Sequence, residues 1–164
     1  MLEYINKDNY NINVVKRRGM YMAKNKENLT IIVGCGKLGS RIANEIYQGD
    51  ANVIVIDRHE EAFESLDSSY GGLTIVGDAC DFEILKKAEI EKANCVIAVT
   101  DFENNNIFIG QAAKKMFNVE KVIIRIINND LRPIYESMGI ETICPAELSA
   151  NAVLDFYYGG HSHE

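Results

Sequence analysis

The sequence lacks long hydrophobic runs and paired cysteines, and between residues 29 and 158 it holds one histidine, His59, and few basic residues. Each lack removes a class of function. No stretch approaches the roughly eighteen consecutive apolar residues that a membrane span needs, and the N-terminus has no apolar core of the secretory kind. The chain is therefore expected in the cytosol. Cys35, Cys80, Cys95 and Cys144 lie far apart, with no C-x-x-C pair and no histidine at zinc-finger spacing, so they read as reduced, mostly buried small hydrophobes, and no metal site is expected. Cys35 stands apart, because it sits beside a candidate helix N-terminus, where a thiol pKa can fall. Residues 1–28 carry six Lys/Arg against three Asp/Glu, leaving eleven against twenty-one for the rest. A body that acidic repels a phosphate backbone, so nucleic acid is not an expected partner.

With 164 residues and 47% hydrophobic content, the chain can bury one good core but not two. The expected division is an N-terminal extension over 1–28, a domain over 29–158 and a flexible tail over 159–164. The extension contains Lys16, Arg17 and Arg18, and Met20 and Met22 offer alternative starts. It reads as a loosely packed or disordered segment, with a short docking helix or a weak membrane-surface anchor as alternatives. The tail histidines, His161 and His163, read as part of a solvated terminus.

From residue 29 onward the pattern becomes regular. Short Val- and Ile-rich runs at 29–33, 53–56, 73–76, 95–99, 122–127 and 142–144 alternate with amphipathic stretches at 38–48, 60–68, 82–88, 103–117, 130–138 and 147–157. Nearly uninterrupted apolar runs suit strands buried on both faces, and strict alternation with helices predicts a parallel sheet. The fold expected is a Rossmann-like, doubly wound, three-layer α/β/α domain with a C-terminal helix opened by Pro145. Gly71 and Gly72 mark the turn before the third strand, and Gly139 closes the helix that begins near Pro133.

The glycine motif Gly34-Cys35-Gly36-Lys37-Leu38-Gly39 follows a predicted strand and opens a predicted helix, the setting in which G-x-G-x-x-G reads as a phosphate turn. Gly34 allows the tight turn, Gly36 leaves room for a phosphate, and Gly39 permits close helix packing. The helix N-terminus offers N–H groups and partial positive charge, and Lys37 adds a cation. Asp57, about twenty residues beyond Gly36, is placed to accept hydrogen bonds from ribose hydroxyls and to repel a 2′-phosphate. Arg58 is open to two readings, tolerance of such a phosphate or stacking on adenine. Ligands in such sheets bind at strand C-terminal ends, so Asp78 and Ala79, then Thr100, Asp101, Asn104, Asn105 and Asn106, should line the same crevice. Asp78 is placed to accept a hydrogen bond from the adenine amino group, with a turn or capping carboxylate as the alternative.

Taken together, Gly34 to Ser40, then Val55-Ile56-Asp57, Val76-Gly77-Asp78-Ala79 and Ala98-Val99-Thr100, with Gly139-Ile140-Glu141 and Cys144-Pro145, resemble the N-terminal half of an RCK (regulator of conductance of potassium) domain, also called TrkA-N. The resemblance runs from about residue 29 to 157. It implies a regulatory, non-enzymatic subunit on the cytoplasmic side of a potassium transporter or channel, peripherally attached to the membrane through that partner. It implies binding of NAD(H), ATP, ADP or AMP. Carried over by position, the phosphate loop falls to Gly34, Cys35, Gly36, Lys37, Leu38 and Gly39, the ribose contact to Asp57 with Arg58 beside it, the adenine side to Asp78 and Ala79, and the ribose–phosphate wall to Thr100. Asn106 and Arg125 match further family positions. The chain departs from the pattern at Ala146, where relatives often carry an acid that here is delayed to Glu147, which argues against a metal-assisted triphosphate contact. With fewer than ten residues beyond Tyr157, it is expected to be a stand-alone nucleotide-binding half, at least homodimeric through 130–138 and the helix ending in Phe156, Tyr157 and Tyr158. Two rival readings remain at this stage. One is a small NAD-dependent oxidoreductase, for which no acid–base group near a nicotinamide and no Tyr-x-x-x-Lys pair is found. The other is a CoA- or sugar-nucleotide-binding module.

Overall fold

A computed structural model describes residues 28–48 and 51–158. The basic triplet, Met20, Met22 and the tail histidines lie outside the described residues. Six strands form one parallel sheet: β1 (Leu29–Val33), β2 (Asn52–Asp57), β3 (Leu73–Val76), β4 (Ala93–Ala98), β5 (Lys121–Arg125) and β6 (Glu141–Ile143), in the order β3-β2-β1-β4-β5-β6. Among the described residues five α-helices accompany them: α1 (Lys37–Tyr47), α2 (Phe82–Lys87), α3 (Glu103–Lys115), α4 (Arg132–Ser137) and α5 (Pro145–Tyr157). This is the Rossmann-like doubly wound sheet with a C-terminal helix that the alternation implies.

The period-2 alternation of β1, β2 and β4 divides the core into two layers. Ile31, Val33, Ile54, Ile56, Val96 and Ala98 face Leu85 of α2, Ile109 and Ala113 of α3 and Tyr135 of α4. Ile32, Val53, Val55, Ile97 and Val99 face Ala43 of α1, with Phe63 and Leu66 packed beside it. Register then sets where function can reside. Val33 pairs with Ile56 on one side and Ala98 on the other, so β1, β2 and β4 end level. The order reverses at β1, and an open α/β sheet forms its crevice at such a switch point.

Several expected elements differ, each for a local reason. The 60–68 helix is a 3-10 helix over Glu60–Ser65 with no buried residue. Its apolar anchors Phe63 and Leu66 are three apart, which the three-residue turn places on one line. β3 is not buried on both faces: only Ile75 is buried, and Leu73 is 66% exposed, because β3 pairs with β2 alone at the sheet edge. β5 stops at Arg125, since the Glu103 carboxylate accepts from the Ile127 N–H at 2.6 Å and from the Asn128 N–H at 3.0 Å, drawing the chain off the sheet. The 130–138 helix divides into a 3-10 turn (Asn129–Leu131) and α4, with Pro133 in its first turn.

Gly39 controls how closely α1 sits on the sheet. A Cβ there would overlap the Gly34 carbonyl oxygen and reach Val99 Cγ2 at 3.4 Å. Gly39→Ala, though a gain in helix propensity, is expected to destabilise the domain by about 2 kcal/mol through overpacking. A urea denaturation curve checks this; an unchanged or higher midpoint would show that α1 can lift without cost.

Candidate functional site

The crevice over the C-terminal end of β1 begins with the turn itself. Gly34 has φ of +98°, and a Cβ there would meet the Thr100 backbone at 3.0–3.1 Å, so only glycine suits both the conformation and the contact. Gly36 is the opposite case. Its φ is −71°, and a Cβ would find nothing within 4 Å, so the turn keeps an unfilled space at the start of α1. No side chain caps α1, and its first turn holds no acid, which leaves N–H donors and the positive end of the helix facing that space. Lys37 is exposed beside it, and Leu38 packs inward beneath α1.

Asp57 lies against this turn. Its Oδ2 accepts from the Cys35 N–H at 2.7 Å and its Oδ1 from the His59 N–H at 3.0 Å. Each oxygen retains a lone pair for a ribose hydroxyl, and the carboxylate also fixes the glycine turn, a role its spacing in the sequence does not reveal. The Cys35 side chain corrects another expectation. The thiol is fully buried, and burial first, then the nearby Asp57 charge, push its pKa up to about 11. Burial and the Asp57 charge thus keep it a neutral packing group at neutral pH.

Asp78 and Arg58 form one unit. Arg58 donates to Asp78 Oδ2 at 2.8 Å, while Asp78 Oδ1 accepts from the Cys80 N–H at 2.9 Å. That backbone bond and the guanidinium hold the Asp78 carboxyl below its ordinary range. Asp78 is thus both a turn carboxylate and an ion-pair partner, with lone pairs left over. Ala79 is buried below it and offers no side-chain contact to the crevice. The Arg58 guanidinium also lies 5.9 Å from the centre of the Phe102 ring, within cation–π range.

Asn106 is 0% exposed. Its Oδ1 accepts from the Thr100 N–H at 2.9 Å and the Thr100 hydroxyl at 2.7 Å, and its Nδ2 donates to the Thr100 and Arg125 carbonyls at 2.9 and 3.1 Å. All four hydrogen-bonding positions of the amide are spent. The expected ligand contact is therefore replaced by a positioning role: Asn106 ties the ends of β4 and β5 together. Asn104 is exposed and Asn105 half-buried at the start of α3. Arg125 donates to Asp101 at 2.7 Å, one strand further from the glycine turn. Sequence reasoning missed Phe102, whose only signal was a bulky aromatic just past a strand end.

Neither of two sizeable cavities lies in this crevice. One of about 660 Å³ opens at the other end of the strands, beside Leu29, Asn52, Leu73 and Asn94. The other, about 370 Å³, lies between α1 and β5–β6. Arg58 and Phe102 bridge the crevice itself. No helix among the described residues is long and apolar enough to cross a membrane.

The sequence matches the TrkA-N domain family over residues 30–145. Among curated proteins it is 36% identical over 124 residues to the Trk system potassium uptake protein TrkA of Streptomyces coelicolor, covering 76% of this chain and 56% of that protein. The chain thus spans about half the length of that relative. Among solved structures, the TrkA-N domain of the inner membrane protein ybaL from Escherichia coli aligns with a TM-score of 0.69 at 21% identity, covering 79% of this chain and 96% of that one. GsuK, solved as its RCK domain and as the channel bound to NAD, aligns at 0.67 and 22% identity, covering 80% of this chain and 28% and 23% of those chains. At these identities the structures show a shared fold.

The Asn106 latch has a measurable consequence. Asn106→Ala strands the buried Thr100 and Arg125 groups and is expected to cost about 2–4 kcal/mol of stability. Chemical denaturation measures this, and a loss well under 1 kcal/mol would mean that water replaces the amide.

Proposed function

The chain belongs to the TrkA-N domain family, and on that premise we propose that it binds the adenosine end of a nucleotide over the ends of β1, β2 and β4 and thereby regulates potassium transport through a membrane partner. The carrying observation is the open space at Gly36 against the uncapped start of α1, with the Asp57 carboxylate beside it. A phosphate there meets N–H donors and a helix end of matching sign. A ribose then comes within reach of Asp57, and a base lies toward Asp78 and Arg58. AMP, ADP, ATP and NAD(H) share that adenosine end. A 2′-phosphate would face the Asp57 charge, while the neighbouring guanidinium is already engaged by Asp78, so an unphosphorylated ribose fits better.

The role is regulatory rather than catalytic. His59 is the one histidine among the described residues, and it lies exposed just past Asp57, at the adenosine end, with its Nδ1 3.8 Å from Glu61. NAD in the GsuK channel and potassium uptake in the name of the Streptomyces relative support the same reading. Signal output needs a second surface, and α5 supplies one: none of its residues is buried, and Phe156 is 84% exposed beside Tyr157 and Tyr158. Pairing of two copies through α4 and α5 would give a dimer whose arrangement the nucleotide biases and a cytoplasmic transporter domain senses, provided that affinity differs between the arrangements.

Gly36→Val separates binding from folding, because its side chain enters open space at an ordinary φ. The expected result is an unchanged melting temperature, at least tenfold weaker nucleotide binding by calorimetry, and potassium uptake that no longer responds to nucleotide in cells carrying the transporter. Undiminished binding would remove the phosphate-loop assignment. Lost binding with unaltered uptake would remove the regulatory one.

A further inference from the structure

An isolated exposed aromatic is ordinary on a protein surface, but Phe102 occupies a particular place. It follows β4, Arg58 follows β2, and β1 lies between those strands. Their contact therefore spans the glycine turn. Phe102 is 63% exposed and is absent from both core layers. Its backbone is firmly held: the carbonyl accepts from the Asn105 and Asn106 N–H groups at 3.1 Å each, and its N–H donates to the Thr100 hydroxyl at 3.2 Å. Arg58 is held from the other side by Asp78 at 2.8 Å. The Arg58 guanidinium, tethered to Asp78, thus lies over the Phe102 ring across the crevice, and that ring projects from an anchored backbone.

We infer that Phe102 is the base-stacking, purine-selecting residue of this crevice, and that Arg58 and Phe102 are the two jaws of a clamp that parts to admit a purine ring. This rests on the nucleotide reading above. The placement favours it: the guanidinium carbon lies 5.9 Å from the centre of the Phe102 ring, and a ring stacked on both sides needs about 7 Å between the jaws, about 3.5 Å per contact. Outward rotation of the exposed Phe102 ring, with Arg58 still paired to Asp78, converts the Arg58–Phe102 contact into an Arg58–base–Phe102 stack. A purine covers more of both jaws than a pyrimidine, and Asp78 at the base of Arg58 can accept from an exocyclic amine. Discrimination then comes from the base, while Gly36 and Asp57 serve any ribose phosphate.

The chain contains no tryptophan, so Phe102→Trp introduces a single indole reporter at the clamp. Titration of that variant with AMP is expected to quench its fluorescence strongly, and CMP weakly. In calorimetry, Phe102→Ala is expected to bind AMP about tenfold more weakly than wild type, as for loss of one base–aromatic stack, with a much smaller loss for CMP, so that AMP/CMP selectivity falls. Phe102→Tyr should restore it. Equal or tighter AMP binding by Phe102→Ala would show that the ring merely blocks the crevice and would overturn the clamp while leaving the nucleotide site intact. Wild-type protein that binds neither AMP nor CMP would overturn the nucleotide reading and the clamp with it.

Discussion

The close seating of α1 on the end of β1 is the constraint on which the site depends. Gly39 can pass over the Gly34 carbonyl only because it has no side chain, and Gly34 can turn beneath Thr100 for the same reason. That seating points the start of α1 into the crevice and leaves the unfilled space at Gly36. It also brings the Cys35 N–H within 2.7 Å of Asp57, joining the β2 end to the turn. Any thickening of this contact would move the helix end, the open space at Gly36 and the Asp57 carboxylate together.

Charge at the crevice is arranged in compensated pairs. Asp78 holds Arg58 and Asp101 holds Arg125, both pairs partly exposed, so they contribute little to stability. Their effect is geometric, since they fix cations at the rim of an otherwise acidic body. The buried counterpart is Asn106, whose four bonds keep β4 and β5 level without placing a charge in the core. Levelled strand ends bring residues distant in sequence to one crevice.

Features that depend on local chemistry were legible in the sequence. The strand and helix periods, the glycine spacing and the acid ending β2 each follow from short-range rules, and the sheet carries them as expected. Features that depend on what lies across the fold were not. Asn106 read as a ligand contact because nothing in its neighbourhood reveals that Thr100 and the β5 carbonyl would absorb its amide. Cys35 read as a thiol at a helix end, whereas burial governs its chemistry. β3 has the composition of a central strand, and only sheet order makes it an edge. The Arg58–Phe102 contact joins residues more than forty apart and has no sequence pattern at all.

The central claim is that this crevice holds an adenosine nucleotide, and the most direct measurement is mass spectrometry of small molecules released on denaturing freshly purified protein, paired with calorimetric titration of AMP, ADP, ATP and NAD(H). The account predicts an adenosine-containing compound in the released fraction, or, from empty protein, saturable binding of at least one of the four that Gly36→Val abolishes. Release of no such compound, together with no binding of any of them, would contradict it.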